Sequence, residues 1–276
     1  MRRLLALTAT LATLIAAPAL AADAALRAAV DGPQRTAEHR ARDAWRHPVE
    51  TLTFWGLKPR QTVIEVVPGS GYWTEILSPY AKATRGRYVA GVTDLENPKI
   101  SEGAKKGRAD FEARYGDQAK FGPVTYANFG PVSKALGAPG SADMVITARN
   151  IHNFMYQPGM LDKSMADFYA VLKRGGVLAV EEHRADPRAE VAGVTDGYVA
   201  VATVVKAAEK AGFKLAAQSE VNANPKDTKD HPFGVWTLPP SKRSAPAGQP
   251  ANAQFDRTKY EAIGESDRMT LRFVKP

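Results

Sequence analysis

The sequence contains no cysteine among its 276 residues. Disulfide bonds, thiolate metal sites and a cysteine nucleophile are therefore excluded. A chain without thiols suits an oxidising compartment, where free thiols are readily oxidised. Neither the G-x-S-x-G nucleophile elbow nor a Walker-type P-loop occurs in the chain. Serine hydrolases and P-loop nucleotide hydrolases are thus function classes that the sequence does not support.

The chain also has little excess charge, with 37 basic and 29 acidic residues and a formal net charge of +8. Basic pairs such as Lys105-Lys106 and Lys242-Arg243 have no aromatic residues beside them, whereas a nucleic-acid groove combines basic and aromatic side chains. We therefore expect no nucleic-acid partner. Hydrophobic residues make up 44% of the chain, which is enough for a full core and excludes general disorder.

The N terminus carries a long hydrophobic run. Arg2 and Arg3 precede the run at residues 4–17, and Ala19-Leu20-Ala21 follows it. This pattern predicts a secretory signal peptide over residues 1–21, cut after Ala21. An uncleaved anchor is the alternative, although the run is short for a membrane span. Cleavage removes both arginines, so the formal charge falls from +8 to +6. We expect a periplasmic or secreted protein without membrane contact after cleavage.

Residues 62–80 are the stretch around which the rest of the chain is organised. A short apolar run that contains Glu65 leads into the turn Pro68-Gly69-Ser70-Gly71. Apolar residues then recur at helical spacing, at Trp73, Ile76, Leu77 and Tyr80. The pattern predicts a strand, a tight glycine turn and a helix. Such a unit directs backbone N–H groups and the positive end of a helix at one point, where a nucleotide-like ligand can bind.

Residues 65–71 resemble the first motif of the class I S-adenosylmethionine-dependent methyltransferases, which reads acidic-x-Gly-x-Gly-x-Gly. Glu65, Gly69 and Gly71 match this motif. Val67 stands where the family's first glycine leaves room for the methionine part of the cofactor. The resemblance implies S-adenosylmethionine as the cofactor, bound by Glu65, Val67, Pro68, Gly69, Ser70 and Gly71.

A narrower resemblance is to a group of exported bacterial methyltransferase-like proteins, and it covers most of the chain after about residue 35. The sequences that carry it are RHPVET at 46–51, FWGLKP at 54–59, EHRA at 182–185 and NP at 224–225. The family resemblance implies an α/β, Rossmann-like fold. Its seven-stranded sheet is mostly parallel and has an antiparallel last strand.

The periodicity along the chain agrees with this fold class. Residues 22–61 are predicted to form a helical lead-in and lid, and residues 62–276 the Rossmann-like domain. A proline-rich loop insertion at about 222–266 is expected to be exposed. The strands are predicted at 62–67, 87–92, 124–127, 144–148, 177–180, 214–219 and 269–274. The main helices are predicted at 73–83, 98–115, 158–173 and 196–211.

In an open α/β sheet, ligands bind beyond the carboxyl ends of the strands. The resemblance places Asp94, after strand two, on the ribose hydroxyls and Asn128, after strand three, on the adenine. Arg149 and His152 follow strand four and weakly resemble the Arg-x-x-x-His-Asp-Trp stretch of some O-methyltransferases, in which histidine is the general base. We assign Arg149 to cofactor binding. His152 is the predicted base, because a histidine pKa lies near neutrality. In the alternative, His152 caps a helix or bonds to the backbone.

Four polar residues, Glu181-Glu182-His183-Arg184, are expected directly after strand five. His183 is the second candidate base. A metal site formed with His152 and His231 is an alternative, although no local metal spacing supports it, and we predict no metal. Charge pairing of Glu182 with Arg184 or Arg149 is the other alternative.

Three functions therefore remain open. The first is a methyltransferase that acts on a small molecule, with a hydroxyl oxygen as one candidate acceptor. The second is a non-catalytic, exported ligand-binding protein with the same fold. Val67 favours it because this residue stands where the family's glycine leaves room for the cofactor, and the signal peptide favours it because S-adenosylmethionine is made in the cytoplasm. The third is a metal-dependent hydrolase built on the histidine and glutamate residues.

Overall fold

A computed structural model describes residues 24–187 and 195–276, so the predicted signal peptide lies outside the described residues. The helices are α1 Ala24–Asp31, α2 Ala37–Ala41, α3 Asp43–Arg46, α4 Pro48–Trp55, α5 Thr74–Thr84, α6 Glu102–Tyr115, α7 Gln118–Phe121, α8 Ile151–Met155, α9 Met160–Val171, α10 Val201–Lys210 and α11 Thr258–Ile263. The strands are β1 Thr62–Val66, β2 Arg87–Thr93, β3 Val124–Phe129, β4 Ala142–Ala148, β5 Leu172–His183, β6 Lys214–Ser219, β7 Pro232–Val235 and β8 Arg268–Val274. None of the helices in these ranges is long and apolar enough to cross a membrane.

Seven strands form one sheet in the order β3-β2-β1-β4-β5-β8-β6. The first five strands of the chain pair in parallel, and β8 pairs antiparallel with both β5 and β6. The predicted fold class is confirmed. The strand order reverses between β1 and β4, which makes this point the switch where a ligand crevice opens in sheets of this kind.

Both faces of the sheet are covered by helices, which explains why its central strands are apolar on both sides. Residues of α9 and α10 form one buried cluster with Ile64 and Val66 of β1. Residues of α1, α4, α5 and α6 form the other cluster with Val63. Trp55 of α4 is fully buried in this second cluster, with its ring centroid 5.6 Å from that of Trp73. The N-terminal helices thus belong to the folded core.

Two strands run further than the sequence predicted. β5 continues through Glu181 and Glu182 to His183, because β8 pairs with it as far as His183 and Arg268. These polar residues therefore lie within the strand and not after it. β3 likewise includes Asn128, which pairs with Val92 of β2. In both cases the neighbouring strand supplies backbone hydrogen bonds beyond the apolar residues from which the strand was predicted.

The prediction that residues 222–266 form an exposed loop is wrong for much of the segment. Asn222, Asn224, Asp227 and His231 are buried there, and the segment contains β7. The Asn222 amide donates to the hydroxyls of Thr51 and Thr270, at 3.0 Å in each case. Asn224 donates to two backbone carbonyls at 2.9 and 2.7 Å. A polar composition did not mean exposure, because these side chains find hydrogen-bond partners inside the protein.

Candidate functional site

The glycine turn follows β1 directly. Val67 has a φ of 52°, so the chain leaves the strand one residue earlier than predicted, although the Val67 N–H still donates to the Gly91 carbonyl at 2.8 Å. A β-branched residue rarely adopts a positive φ. Gly69 and Gly71 also have positive φ angles, of 59° and 90°. The turn therefore depends on three residues with positive φ at alternate positions, 67, 69 and 71, and only two of them are glycine.

The two glycines of the turn serve different purposes. A Cβ atom added to Gly71 would lie 1.8 Å from Oη of Tyr115, whose hydroxyl donates to the Ser70 carbonyl at 2.9 Å. A Cβ atom added to Gly69 would meet no other residue within 4 Å. Gly71 is thus required by packing and by its backbone angle, whereas Gly69 faces open space where a ligand can approach the backbone.

Two cavities lie against the turn, and a third adjoins one of them. The first, named the adenine-side cavity because it lies toward β2, whose end was predicted to face the nucleoside, has a volume of about 230 Å³ and is lined by Val67, Pro68, Gly69, Val92, Thr93, Gly107, Arg108 and Phe111. The central cavity, about 270 Å³, lies between the ends of β1 and β4 and is lined by Arg46, Glu65, Val66, Val67, Pro68, Gly69, Ser70, Tyr72, Trp73, Ala148, Arg149, Asn150 and Asn153. The loop cavity, about 180 Å³, is lined by Arg149, His152, Asn153, His183, Val235, Trp236, Pro239, Pro240 and Ser241. Shared lining residues join the three into one groove along the carboxyl edge of the sheet.

The N-terminal helices lie over the turn. His39 of α2 is 3.1 Å from the Ser70 hydroxyl through Nε2 and 2.9 Å from the Glu75 carboxylate through Nδ1. The Tyr72 hydroxyl donates to Asp43 of α3 at 2.6 Å. These contacts hold α2 and α3 against the glycine turn and the first turn of α5.

Glu65 is a buried carboxyl group at the floor of the central cavity. Its Oε2 atom accepts hydrogen bonds from the hydroxyls of Thr74, at 2.8 Å, and Tyr88, at 2.5 Å. Burial raises the pKa of Glu65 to about 7, against the opposing effect of these two hydrogen bonds. The group therefore changes its protonation state near neutral pH.

The titration of Glu65 predicts a pH-dependent stability. Its folded pKa lies above the unfolded value of about 4.3, so its contribution is complete below pH 4 and is lost as the pH rises through about 7. We expect the free energy of unfolding of the parent to fall, relative to that of Glu65→Gln, by about 3 kcal/mol between pH 4 and pH 8. Urea unfolding at several pH values measures this difference. Glu209→Gln, at an exposed position, is the matched control, and parallel profiles for the parent and Glu65→Gln would refute the assignment.

The side chains predicted to contact ribose and adenine are both engaged with neighbouring residues. Asp94 is buried after β2, and its carboxylate accepts a hydrogen bond from the Glu96 N–H at 3.0 Å. The Asn128 amide oxygen accepts from Nη1 of Arg108 at 3.3 Å. Arg108, on α6, lines the adenine-side cavity itself. Sequence reasoning missed Arg108, because nothing in the helix that contains it distinguishes this arginine from the solvated charges around it.

His152 and Glu182 form a buried pair. His152 Nδ1 lies 2.9 Å from Oε1 of Glu182, and the His152 backbone N–H donates to Oε2 at 3.2 Å. The carboxylate accepts, so Nδ1 carries the proton and the lone pair of Nε2 is left for the loop cavity that His152 lines. Glu182 does not pair with Arg184 or Arg149. Arg184 instead binds Asp267 at 2.8 Å and Glu220 at 2.7 Å.

His183 lies beside His152, with the ring centroids 5.3 Å apart. Its Nδ1 atom is 2.6 Å from the Ser266 hydroxyl. Burial, followed by the charges of His152 and Arg149, lowers the pKa of His183 well below the usual value. His183 is therefore neutral at physiological pH.

The alternative metal set that includes His231 is not formed. His231 Nε2 donates to Oδ1 of Asp227 at 2.8 Å, and its ring lies beside that of Tyr260. Within residues 24–187 and 195–276, the metal-compatible group consists of His152, Glu182 and His183, which offer ligand atoms within 4.8 Å of one another. All three members are buried.

A buried cluster of arginines lies behind the central cavity, and sequence reasoning missed it. Arg42, Arg46 and Arg268 each contact the carboxylate of Glu265, at 2.6, 3.0 and 2.8 Å. Arg268 also lies 2.8 Å from Glu181. Burial alone would raise the pKa of Glu265, but the surrounding guanidinium groups hold it far below its ordinary value.

Arg149 completes this cluster from the end of β4. Its backbone is left-handed, with a φ of 60°, and its N–H donates to the Glu181 carbonyl at 2.7 Å. Among the described residues, no carboxylate lies within 4.0 Å of its guanidinium group. Burial, followed by the charge of Arg46, lowers the pKa of Arg149 to about 9. Arg149 thus remains charged at neutral pH without an ion-pair partner of its own.

Comparison with known proteins gives matches among solved structures. A SAM dependent methyltransferase from Aquifex aeolicus is 19% identical over 66% of this chain and 87% of its own, with a TM-score of 0.50. A Galdieria sulphuraria protein described as a sarcosine dimethylglycine methyltransferase is 13% identical over 85% of each chain, also with a TM-score of 0.50. The 4+2 cyclase SpnF is 14% identical over 89% of this chain and 86% of its own, with a TM-score of 0.52.

A scan against protein-family models and a search of curated proteins found no match. At the identities above, the structural likeness concerns the fold alone, and the presence of a cyclase shows that this fold hosts more than one chemistry. The seven-stranded sheet and the glycine turn at the end of β1 agree with that likeness. The chain has the Rossmann-like fold of the class I S-adenosylmethionine-dependent methyltransferases.

Proposed function

We propose that this protein is an S-adenosylmethionine-dependent methyltransferase that acts on a small molecule. The observation that supports this function best is the position of the His152–Glu182 pair. His152 lines the loop cavity, which is joined to the central cavity through Arg149 and Asn153, and the central cavity lies against the glycine turn. A base next to a nucleotide-type cleft is the arrangement that methyl transfer to an acidic hydroxyl or amine requires.

The residues of the turn fit the proposed cofactor. Gly69 leaves the backbone open to the adenine-side and central cavities, and a side chain there would project into space that no other residue fills. The turn lies just before the N-terminal end of α5, and the dipole of this helix places partial positive charge beside the central cavity. S-adenosylmethionine, when bound, supplies a methyl group on a positively charged sulfur. Gly69, Ser70 and Arg108 are the residues that would hold it in place.

The chain's own part in the reaction is to hold and move a proton. His152 Nε2 accepts the proton of the acceptor, while Glu182 keeps Nδ1 protonated and stabilises the imidazolium that results. The Glu182 carboxylate is fixed by the backbone N–H groups of His152 and His183, so it orients the ring without a rotamer change. Neutral His183 adds no competing positive charge beside the base.

Calorimetric titration with S-adenosylmethionine and S-adenosylhomocysteine tests this function. Val67 lines both cavities at the turn, in a backbone conformation that favours glycine. We expect Val67→Gly to bind both compounds more tightly than the parent, because the isopropyl group no longer occupies the methionine side. Gly69→Ala should weaken binding of both. If neither compound binds to the parent or to Val67→Gly, the cofactor assignment is wrong.

A non-catalytic binding protein is the second candidate, and the observation that favours it is again Val67, which is 39% exposed at the mouth of the groove. This function predicts that S-adenosylhomocysteine binds no more tightly to Val67→Gly than to the parent, while another ligand occupies the groove. A binding protein would bind its ligand in the presence of S-adenosylmethionine but release no S-adenosylhomocysteine, whereas the enzyme would release it.

A further inference from the structure

We propose that the central cavity binds the carboxylate of an acidic methyl acceptor, with Arg46 and Arg149 as the anion-binding residues. The assignment of the anion to the acceptor rests on the proposed function. The presence of an anion site does not, because it follows from the charges of the cavity wall.

The first observation is an excess of positive charge in a place with little access to water. Four guanidinium groups meet in the cluster and two carboxylates oppose them; the members are Arg42, Arg46, Arg149, Arg268, Glu181 and Glu265. Arg46 and Arg268 are each 1% exposed, and Arg149 is half-buried. Glu65, on the wall of the same cavity, adds only part of a negative charge at neutral pH, because its pKa is about 7. Like charges withdrawn from water repel strongly, so the remaining positive charge is unfavourable unless an anion joins it.

The second observation is that the excess charge is presented to the cavity. Arg46 and Arg149 both line it. Within residues 24–187 and 195–276, the Arg149 side chain makes no hydrogen bond or ion pair, and its Nε atom, like Nη2 of Arg46, is a donor without a partner. A guanidinium group that is withdrawn from water without an acceptor loses the hydrogen bonds that it made there. A carboxylate in the cavity, which matches the planar fork of arginine, would give Arg149 the partner that it lacks.

The position of Arg149 links the anion to the reacting group. Arg149 lines the central cavity and also the loop cavity, where it lies together with His152. An acceptor with its carboxylate at Arg149 therefore has the rest of its structure within the groove that contains the base. Trp236, whose ring centroid is 6.0 Å from that of His152, offers that molecule an aromatic wall.

Benzoate and benzamide are suitable probes, because they share a shape and differ in charge. We expect calorimetry on the full chain to show that benzoate binds about tenfold to a hundredfold more tightly than benzamide, the range of a charge-assisted hydrogen bond. Arg149→Asn should lose this preference. Asparagine tolerates the left-handed backbone, so the variant removes the charge with little strain. Arg85→Asn is the matched control, since Arg85 is an exposed arginine with a φ of 59° and should leave benzoate binding unchanged.

Saturation with S-adenosylhomocysteine identifies the source of the carboxylate. Benzoate that still binds to the saturated protein supports an acidic acceptor. Benzoate that is displaced shows that the site takes the amino-acid end of the cofactor, which overturns the acceptor assignment. Equal binding of benzoate and benzamide to the parent overturns the anion site, and this comparison needs no variant. Benzoate binding without any S-adenosylhomocysteine binding would refute the proposed function and leave the anion site standing.

Discussion

His152→Ala is expected to lower turnover by roughly a hundredfold to ten-thousandfold, the usual contribution of general acid–base catalysis. The variant lacks the Nε2 lone pair at the loop cavity and leaves the Glu182 carboxylate without its Nδ1–H donor. S-adenosylhomocysteine release with hydroxybenzoate acceptors measures the effect. The affinity for the cofactor should hardly change, because the glycine turn is separate from the histidine.

Glu182→Gln distinguishes a positioned base from an ordinary buried histidine. Glutamine keeps the shape and one acceptor oxygen but no longer stabilises an imidazolium. We expect kcat to fall with little change in KM, and the activity to recover partly at higher pH, where the acceptor loses its proton to water. His47→Asn is the control, because His47 is a histidine outside the cavities with a φ of 41° that asparagine tolerates. Full activity in His152→Ala would move the base elsewhere, with His183 as the next candidate.

The dyad shows what sequence reasoning can and cannot reach. The position of His152 after β4 was visible in the sequence, because strand ends and the residues that follow them are local features. Its partnership with Glu182 was not, since the two are thirty positions apart and the pairing depends on β5 extending beyond its apolar residues. The sequence instead suggested Arg184 or Arg149 as partners of Glu182, because pairing between opposite charges is the common outcome for polar residues expected at the same edge of a sheet.

The arginine cluster marks a clearer limit. Its cations come from α3, the residue before it, the end of β4 and the start of β8, and Glu265 joins them across 219 positions from Arg46. No regular spacing in the sequence links these residues, and they come into contact only when the sheet and the N-terminal helices pack together. The strands and the main helices, by contrast, follow from apolar periodicity over fewer than twenty residues, and the resemblance of residues 65–71 to the methyltransferase motif implied how they are arranged. The arginine cluster has neither a local pattern nor a motif, so it was not predicted.

The glycine turn was predicted from a local pattern, but the contact between Gly71 and Tyr115 forms only in the folded protein. Alanine substitutions at Gly69 and Gly71 separate the effect of backbone angle from the effect of that contact. Both positions have a positive φ, which costs an alanine about 1–2 kcal/mol. At Gly71 the new Cβ atom also meets Oη of Tyr115 at 1.8 Å, so the ring must move and its hydrogen bond to the Ser70 carbonyl is lost. Overpacking of this kind adds about 1–3 kcal/mol. At Gly69 the Cβ atom meets nothing within 4 Å.

We therefore expect Gly71→Ala to lower the free energy of unfolding by about 2–5 kcal/mol, and Gly69→Ala by about 1–2 kcal/mol, in urea unfolding followed by circular dichroism. For ligand binding, measured per folded molecule, we expect the opposite ranking, with Gly69→Ala affected more than Gly71→Ala. Gly69→Ala places its methyl group in the groove and should weaken S-adenosylhomocysteine binding while the fold stays native. Tyr115→Phe combined with Gly71→Ala removes the hydroxyl that the methyl group meets and should recover part of the lost stability. Equal destabilisation by the two alanines would show that Tyr115 yields without cost, and that both glycines are present for backbone angle alone.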